Sequence, residues 1–166
     1  MSDPISSTLP PSAPRQSSPL PPVSPLGIDP RGPRFGAGIT AVLLVVVLLL
    51  SGGAGTALLA VIAALFAVGT ARGAQRTVQG LIFRRLVRPH LAPPAELEDA
   101  RPPRFAQLVG LIIAGVGVLL GLAGVTVAVP VAAALALVAA SLNSAFGLCL
   151  GCELYVLGAR LRSRAA

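Results

Sequence analysis

Every basic residue of this 166-residue chain is an arginine, and all 13 lie outside its four apolar stretches and outside the two short turns that join those stretches in pairs. A full charge at the middle of a bilayer is costly and rare. Long apolar runs free of Arg and edged by it therefore read as membrane spans, and the placing of the edges reads as their orientation. The amount of apolar surface agrees. Hydrophobic residues make up 54% of the chain and charged residues only 11%, against about 25% charged in an average soluble domain. A core of this size has no room for so much apolar surface, so the excess must face lipid.

The stretches are residues 35–50, 56–71, 105–125 and 131–157. The first two are short for a span of roughly 17–25 residues, and they reach across only if their ends sit at the interface. Ser51-Gly52-Gly53-Ala54-Gly55 makes the first turn, and residues 126–130 make the second, with Pro130 suited to a helix start. Arg15, Arg31 and Arg34 precede the first stretch. Arg72, Arg76, Arg84, Arg85, Arg88, Arg101 and Arg104 lie between the hairpins, and Arg160, Arg162 and Arg164 follow the last. Basic flanks stay on the cytoplasmic side. The expected fold is an all-α membrane protein of the cell (inner or plasma) membrane. Four transmembrane helices form two hairpins over residues 34–160, and both termini and the central connection are cytoplasmic.

Residues 1–33 hold 10 of the 16 prolines. Such a segment buries too little apolar surface to offset its ordering entropy, so a disordered tail is expected. It lacks the features of a secretory signal peptide. Residues 161–166 form a short basic tail. A net charge of +7 raises the question of nucleic acid, but the Arg residues border apolar runs and are not interleaved with aromatics. The chain has no Trp and one Tyr, so no nucleic-acid surface is expected.

In the central connection Val78, Leu81, Ile82, Leu86 and Val87 alternate with Gln79, Arg84, Arg85 and Arg88. This pattern predicts an amphipathic helix on the inner leaflet, with Arg84, Arg85 and Arg88 at the lipid phosphates and an anchoring role. His90, beside Pro89, reads as a solvated surface residue. Pro93-Pro94-Ala95-Glu96-Leu97-Glu98-Asp99 reads as a helix start with acids in its first turn. Asp29-Pro30-Arg31-Gly32-Pro33-Arg34-Phe35 and Asp99-Ala100-Arg101-Pro102-Pro103-Arg104-Phe105 share the pattern D-x-R-x-P-R-F, and each enters a hairpin. Headgroup Arg, helix-boundary Pro and interfacial Phe account for the pattern by convergence. Duplication of a two-helix unit accounts for it as well. Gly110, Gly115, Gly117, Gly121 and Gly124 line the third stretch as close-packing positions, which is compatible with a homodimer.

The chemistry-bearing residues gather near the end of the fourth stretch. Cys149 and Cys152 are the only thiols, and Glu153 follows them. Two Cys at i, i+3 on a helix face one way, close enough for a disulfide or a shared metal. About 20 residues beyond Pro130, the pair falls at the cytoplasmic boundary. Gly147 and Gly151 bracket Cys149, Asn143 lies deeper and is expected to face the bundle, and Tyr155 follows. Three readings stand. In thiol–disulfide or sulfur-relay chemistry, Cys149 and Cys152 act with Glu153, supported by Asn143 and Tyr155, and the partner is a cytoplasmic thioredoxin-like protein. Metal binding needs four ligands for a closed zinc site, and the pair supplies two; no metal ligand set and no cofactor are assigned. In the structural reading, small inert thiols pack between helices of a membrane scaffold. A cytoplasmic pair is expected to rest reduced.

The stretches Ile28-Asp29-Pro30-Arg31-Gly32-Pro33-Arg34-Phe35, Gly80-Leu81-Ile82-Phe83-Arg84-Arg85-Leu86-Val87-Arg88-Pro89, Pro103-Arg104-Phe105-Ala106-Gln107 and Asn143-Ser144-Ala145-Phe146-Gly147-Leu148-Cys149-Leu150-Gly151-Cys152-Glu153-Leu154-Tyr155 resemble a bacterial membrane family, domain of unknown function 4395. The resemblance covers about residues 27–160. It implies an integral membrane protein without an assigned activity, whose relatives stand beside thioredoxin-like and sulfurtransferase proteins.

Overall fold

The computed structural model describes residues 27–50, 52–94 and 96–165. Strand β1 (Gly27–Ile28) leads into α1 (Arg31–Leu49) and α2 (Gly53–Arg72). A helical turn at Ala74–Arg76 precedes the short α3 (Val78–Ile82), which continues through a wide turn at Phe83–Val87 and a tight one at Arg88–His90. Strand β2 (Glu98–Asp99) then leads into α4 (Arg101–Leu122), α5 (Ala128–Phe146) and α6 (Leu150–Ala165). Helices α1, α2, α4 and α5 are long and apolar enough to cross a membrane. The fold is that of a multi-pass membrane protein.

The four long helices form a ring in which α1 packs on α2 and α5, and α4 packs on α2 and α5. Neighbours in the ring run antiparallel: short turns join α1 to α2 and α4 to α5, the start of α4 meets the end of α2, and the start of α1 meets the end of α5. Small and medium side chains fill the middle: Leu44, Val47, Leu59, Ile62, Ala114, Ala132, Ala133 and Ala136 are buried. Large ones point out, among them Val42, Leu49, Val61, Ile112, Leu119, Leu135 and Val138. Bulk outside and Ala and Gly inside is the order expected where lipid is as apolar as the core, and close packing decides which faces meet. Gly110, Gly117 and Gly121 serve that packing. A Cβ at Gly117 would collide with Ala132, and one at Gly121 would stand 2.5 Å from Val129 Cγ2. Gly115 faces open space, and Gly124, at φ 91°, ends the α4 turn.

Several expected boundaries move. The disordered tail expected over residues 1–33 lies outside the described residues as far as residue 26, whereas residues 27–33 hold β1 and the start of α1. The α1 helix starts early because Asp29 Oδ1 accepts from Arg31 N at 3.0 Å, while Pro33 lies in the first turn, where its missing N–H has no intrahelical partner to lose. The helix expected from Pro93 is not formed by Glu98 and Asp99. They pair antiparallel with Ile28 and Gly27 instead. The largest difference concerns the fourth stretch, expected as one helix over residues 131–157. It is two. Gly147, at φ 71°, closes α5 with its N–H on Asn143 O at 3.0 Å, and α6 starts afresh at Leu150. A left-handed residue ends a helix, and Gly adopts it without a Cβ penalty. The expected basic tail also belongs to α6, which runs to Ala165.

The seven-residue sequence repeat has a structural counterpart. Asp99 Oδ1 accepts from Arg101 N at 2.9 Å, as Asp29 does from Arg31 N. Phe35 packs on Phe83 and Phe105 on Tyr155, each pair with ring centroids 5.7 Å apart. Four residues before each of those aromatics lies a second matched contact: Gln79 against Gly36, and Gly151 against Ala106. The equivalence therefore runs past the hairpins, and α3 corresponds to the beginning of α6.

A capped cysteine pair at a helix N-terminus

The break after α5 sets the geometry of the thiols. Cys149 is not inside a long helix. It is the residue before α6, and its Sγ accepts the N–H of Cys152 at 3.4 Å. The first N–H groups of a helix lack intrahelical partners, and a side-chain acceptor at the cap position satisfies one of them. Here a sulfur takes the place usually held by a hydroxyl or carboxylate oxygen. The carbonyl of Cys149 also accepts from Glu153 N at 3.0 Å, so backbone and side chain together start the helix. The two sulfurs lie at disulfide distance, and the Cα atoms are 5.2 Å apart. Both residues are half-buried.

The matching position in the first half explains the local fold. Thr77 caps α3, and its Oγ1 accepts from Gly80 N at 3.2 Å. Counting from the paired aromatics Phe83 and Tyr155, Cys149 stands where Thr77 stands and Cys152 where Gly80 stands. The two halves therefore share one capping device. In the second half the hydroxyl becomes a thiol, and the residue that donates the N–H carries a second thiol.

Behind the pair, Gly151 lets α6 approach α4 so closely that a Cβ would stand 2.5 Å from Ala106 Cα. Tyr155, one turn on, packs its ring at a tilt against Phe105 and fixes the rotation of α6. Glu153 is exposed in the first turn, where an acid suits the helix N-terminus, and it shares an open groove with Leu150, Leu154, Val156, Leu157 and Arg160. Asn143 is not deep in the bundle. It sits one turn from the end of α5, half-buried, and its carbonyl accepts from Gly147 N. Above Gly147 lies the exposed Arg34, whose guanidinium carbon would be 3.2 Å from a Cβ there. Its counterpart Arg104 reaches the end of α2. The cysteines thus share their end of the bundle with the arginine-bearing segments.

Arg84, Arg85 and Arg88 are exposed, on the stretch that continues α3. Phe83 and Gln79 on that stretch are buried, while Val78, Leu81, Ile82 and Leu86 are exposed. His90 Nδ1 lies 2.9 Å from Leu86 O, a contact within its own turn. Among the described residues no group of three or more His, Cys, Asp or Glu converges on one point. An apolar cleft of about 750 Å³ opens at the other end of the ring, lined by residues that include Val47, Thr56, Gly121 and Pro130. Its lining carries no thiol and no titratable side chain, so the chemistry belongs to the cysteine end.

The cap role of Cys149 was missed in the sequence because the stretch stays apolar through Leu148 and Leu150. Two signals point to it: Gly147 just before, and Glu153 shortly after, an acid in the first turn of the new helix.

Residues 28–160 match the family model Domain of unknown function (DUF4395), and the chain belongs to that family. Comparison with curated proteins and with solved structures gave no match.

Proposed function

We propose that this member of the DUF4395 family is a membrane-embedded thiol–disulfide exchange protein, with Cys149 as the attacking thiol and Cys152 as the resolving one. The observation that carries the reading is the contact of Cys152 N–H with Cys149 Sγ at the start of α6. A thiolate, not a thiol, is the nucleophile, and a helix N-terminus with an aligned N–H favours the anion. Cys152 is the third residue of the helix, and among the described residues no N–H is bonded to its sulfur, so the two sulfurs are not equivalent.

The exchange balances within the pair. The Cys149 thiolate attacks a disulfide of the partner, forming a mixed disulfide and releasing one partner thiolate. Cys152, losing its proton, then attacks Cys149 Sγ, forms the Cys149–Cys152 bond and releases the second partner thiolate. Two electrons pass from the pair to the partner. The reverse sequence reduces the pair. Glu153 is the nearest acid along the chain and a fitting acceptor for the Cys152 proton. With the arginine-rich end in the cytoplasm, as the positive-inside rule directs, the pair rests reduced and meets a soluble thioredoxin-like partner there.

One observation favours a second reading, a membrane scaffold with inert thiols: Thr77 makes the same cap with no redox capacity, so Cys149 has a structural role whatever its chemistry. Gel-shift alkylation of the protein in native membranes, after mild oxidant and after reductant, separates the two. Exchange chemistry gives a reversible shift of two thiols, lost in Cys149→Ser and in Cys152→Ser alike. Thiols that resist both oxidation and alkylation would leave the scaffold.

A further inference from the structure

Beyond Tyr155, α6 leaves the bundle. Each residue of 156–164 is exposed, yet the segment is not polar. Leu150, Leu154, Leu157 and Leu161 recur at helical spacing on one stripe, and Leu154, Leu157 and Leu161 are 54%, 54% and 57% exposed. Arg160, Arg162 and Arg164 share the helix, and Glu153 is its single acid. A stripe of four leucines turned partly to water is unfavourable. Something apolar must cover it, and the helix is not among those long and apolar enough to span.

Two observations say what covers it. The stripe belongs to a chain whose other large exposed side chains, on α1, α2, α4 and α5, already form a lipid-facing belt. Arg160 and Arg162 flank it and Arg164 follows it by one turn; these charges complement an anionic surface, whereas a second copy would bring the same positive charges together. The matching element repeats the arrangement: Val78 and Ile82 on α3, equivalent to Leu150 and Leu154, are also exposed, with Arg84, Arg85 and Arg88 after them.

We propose that α6 is an interfacial helix that lies on anionic phospholipid headgroups at the arginine-rich end, with Leu154, Leu157 and Leu161 sunk into the acyl boundary and Arg160, Arg162 and Arg164 at the phosphates. An amphipathic helix with Arg beside a leucine face binds in this way, by buried apolar area plus headgroup charge. The cysteine pair at its N-terminus is then held at the membrane surface. The inference does not depend on redox activity of the thiols.

The chain has no Trp, so single tryptophans report position directly. Full-length Leu157→Trp, Leu161→Trp and Ala159→Trp are reconstituted in vesicles of phosphatidylcholine with phosphatidylglycerol, and in phosphatidylcholine alone. Brominated lipid and acrylamide serve as the two quenchers. The expected result is blue-shifted emission, quenched by brominated lipid and shielded from acrylamide, at positions 157 and 161, and the opposite at 159. The lipid quenching at 157 and 161 should weaken in neutral vesicles and in the variant with Arg160, Arg162 and Arg164 all changed to Gln. Equal lipid quenching at all three sites would overturn the proposal in favour of a span. Acrylamide quenching at all three would overturn it in favour of a solvated extension. A shift that follows the protein-to-lipid ratio would put a second copy on the stripe, and indifference to headgroup charge would remove the anionic surface.

Discussion

Arg104, in the first turn of α4, donates through Nη2 to Ala71 O at 2.7 Å and through Nε to Thr70 O, so one guanidinium covers the last carbonyls of α2. Those carbonyls lack intrahelical partners and carry the negative end of the helix dipole. Hydrogen bonds to a charged donor are worth about 1.5–3 kcal/mol where desolvated, and Arg104 is exposed, so about 1 kcal/mol is the reasonable expectation here. Arg104→Gln should lower the thermal stability of the purified protein in detergent, and Arg104→Lys should recover only part of it, because an ammonium lacks the planar fork. A melting curve unchanged in both variants would show that the contact contributes nothing.

The glycines of α4 separate into packed and idle positions. Gly117→Ala drives a methyl into Ala132 on α5, and overpacking of this kind costs about 1–3 kcal/mol. Gly115→Ala meets nothing within 4 Å and gains helix propensity, a change of up to about 1 kcal/mol in the stabilising direction. Thermal unfolding in one detergent should therefore shift in opposite directions for the two substitutions. Equal losses would mean that α4 does not present the Gly117 side to α5.

How much of this was legible in the sequence follows from what each signal measures. Exclusion of charge marks spans directly, so four long helices in two hairpins were readable from the positions of 13 arginines. The D-x-R-x-P-R-F repeat was readable too, because Asp and Pro each have a local role at the helix entrance and Phe packs beside it, and the matched Asp29–Arg31 and Asp99–Arg101 bonds show it. Hydropathy is blind to a break that leaves the apolar run intact. Leu148, Cys149 and Leu150 hide the stop at Gly147, and with it the fact that Cys149 caps a new helix. The pairing of Gly27–Ile28 with Glu98–Asp99 spans two residues on each side, too short to leave any periodicity.

Orientation rests on the arginines and can be tested independently of the thiols. A reporter fused at Gly53, the first residue of α2, should show the side opposite to one fused at the C-terminus. The motive is the confinement of charge to the segments around the other ends of the helices. Reporters on the same side would contradict the arrangement of hairpins across the membrane.

The sharpest expectation concerns the order of the two cysteines. Cys149 Sγ receives the Cys152 N–H at the head of α6, and among the described residues no comparable bond reaches Cys152 Sγ. In Cys152→Ser the attack by Cys149 proceeds but the resolving step is lost, so a mixed disulfide with the partner should accumulate and be released by reductant. In Cys149→Ser the serine hydroxyl keeps the cap, as Thr77 does on α3, and fold stability should be nearly unchanged while no adduct forms. Cys149→Ala should lose the cap as well, at a cost of about 1 kcal/mol. Non-reducing gels of membranes from the three variants, with melting curves of the purified proteins, read both effects. Adduct formation through Cys152 in the Cys149→Ser protein would reverse the roles assigned to the pair, and the absence of any adduct in Cys152→Ser would count against exchange chemistry at this site.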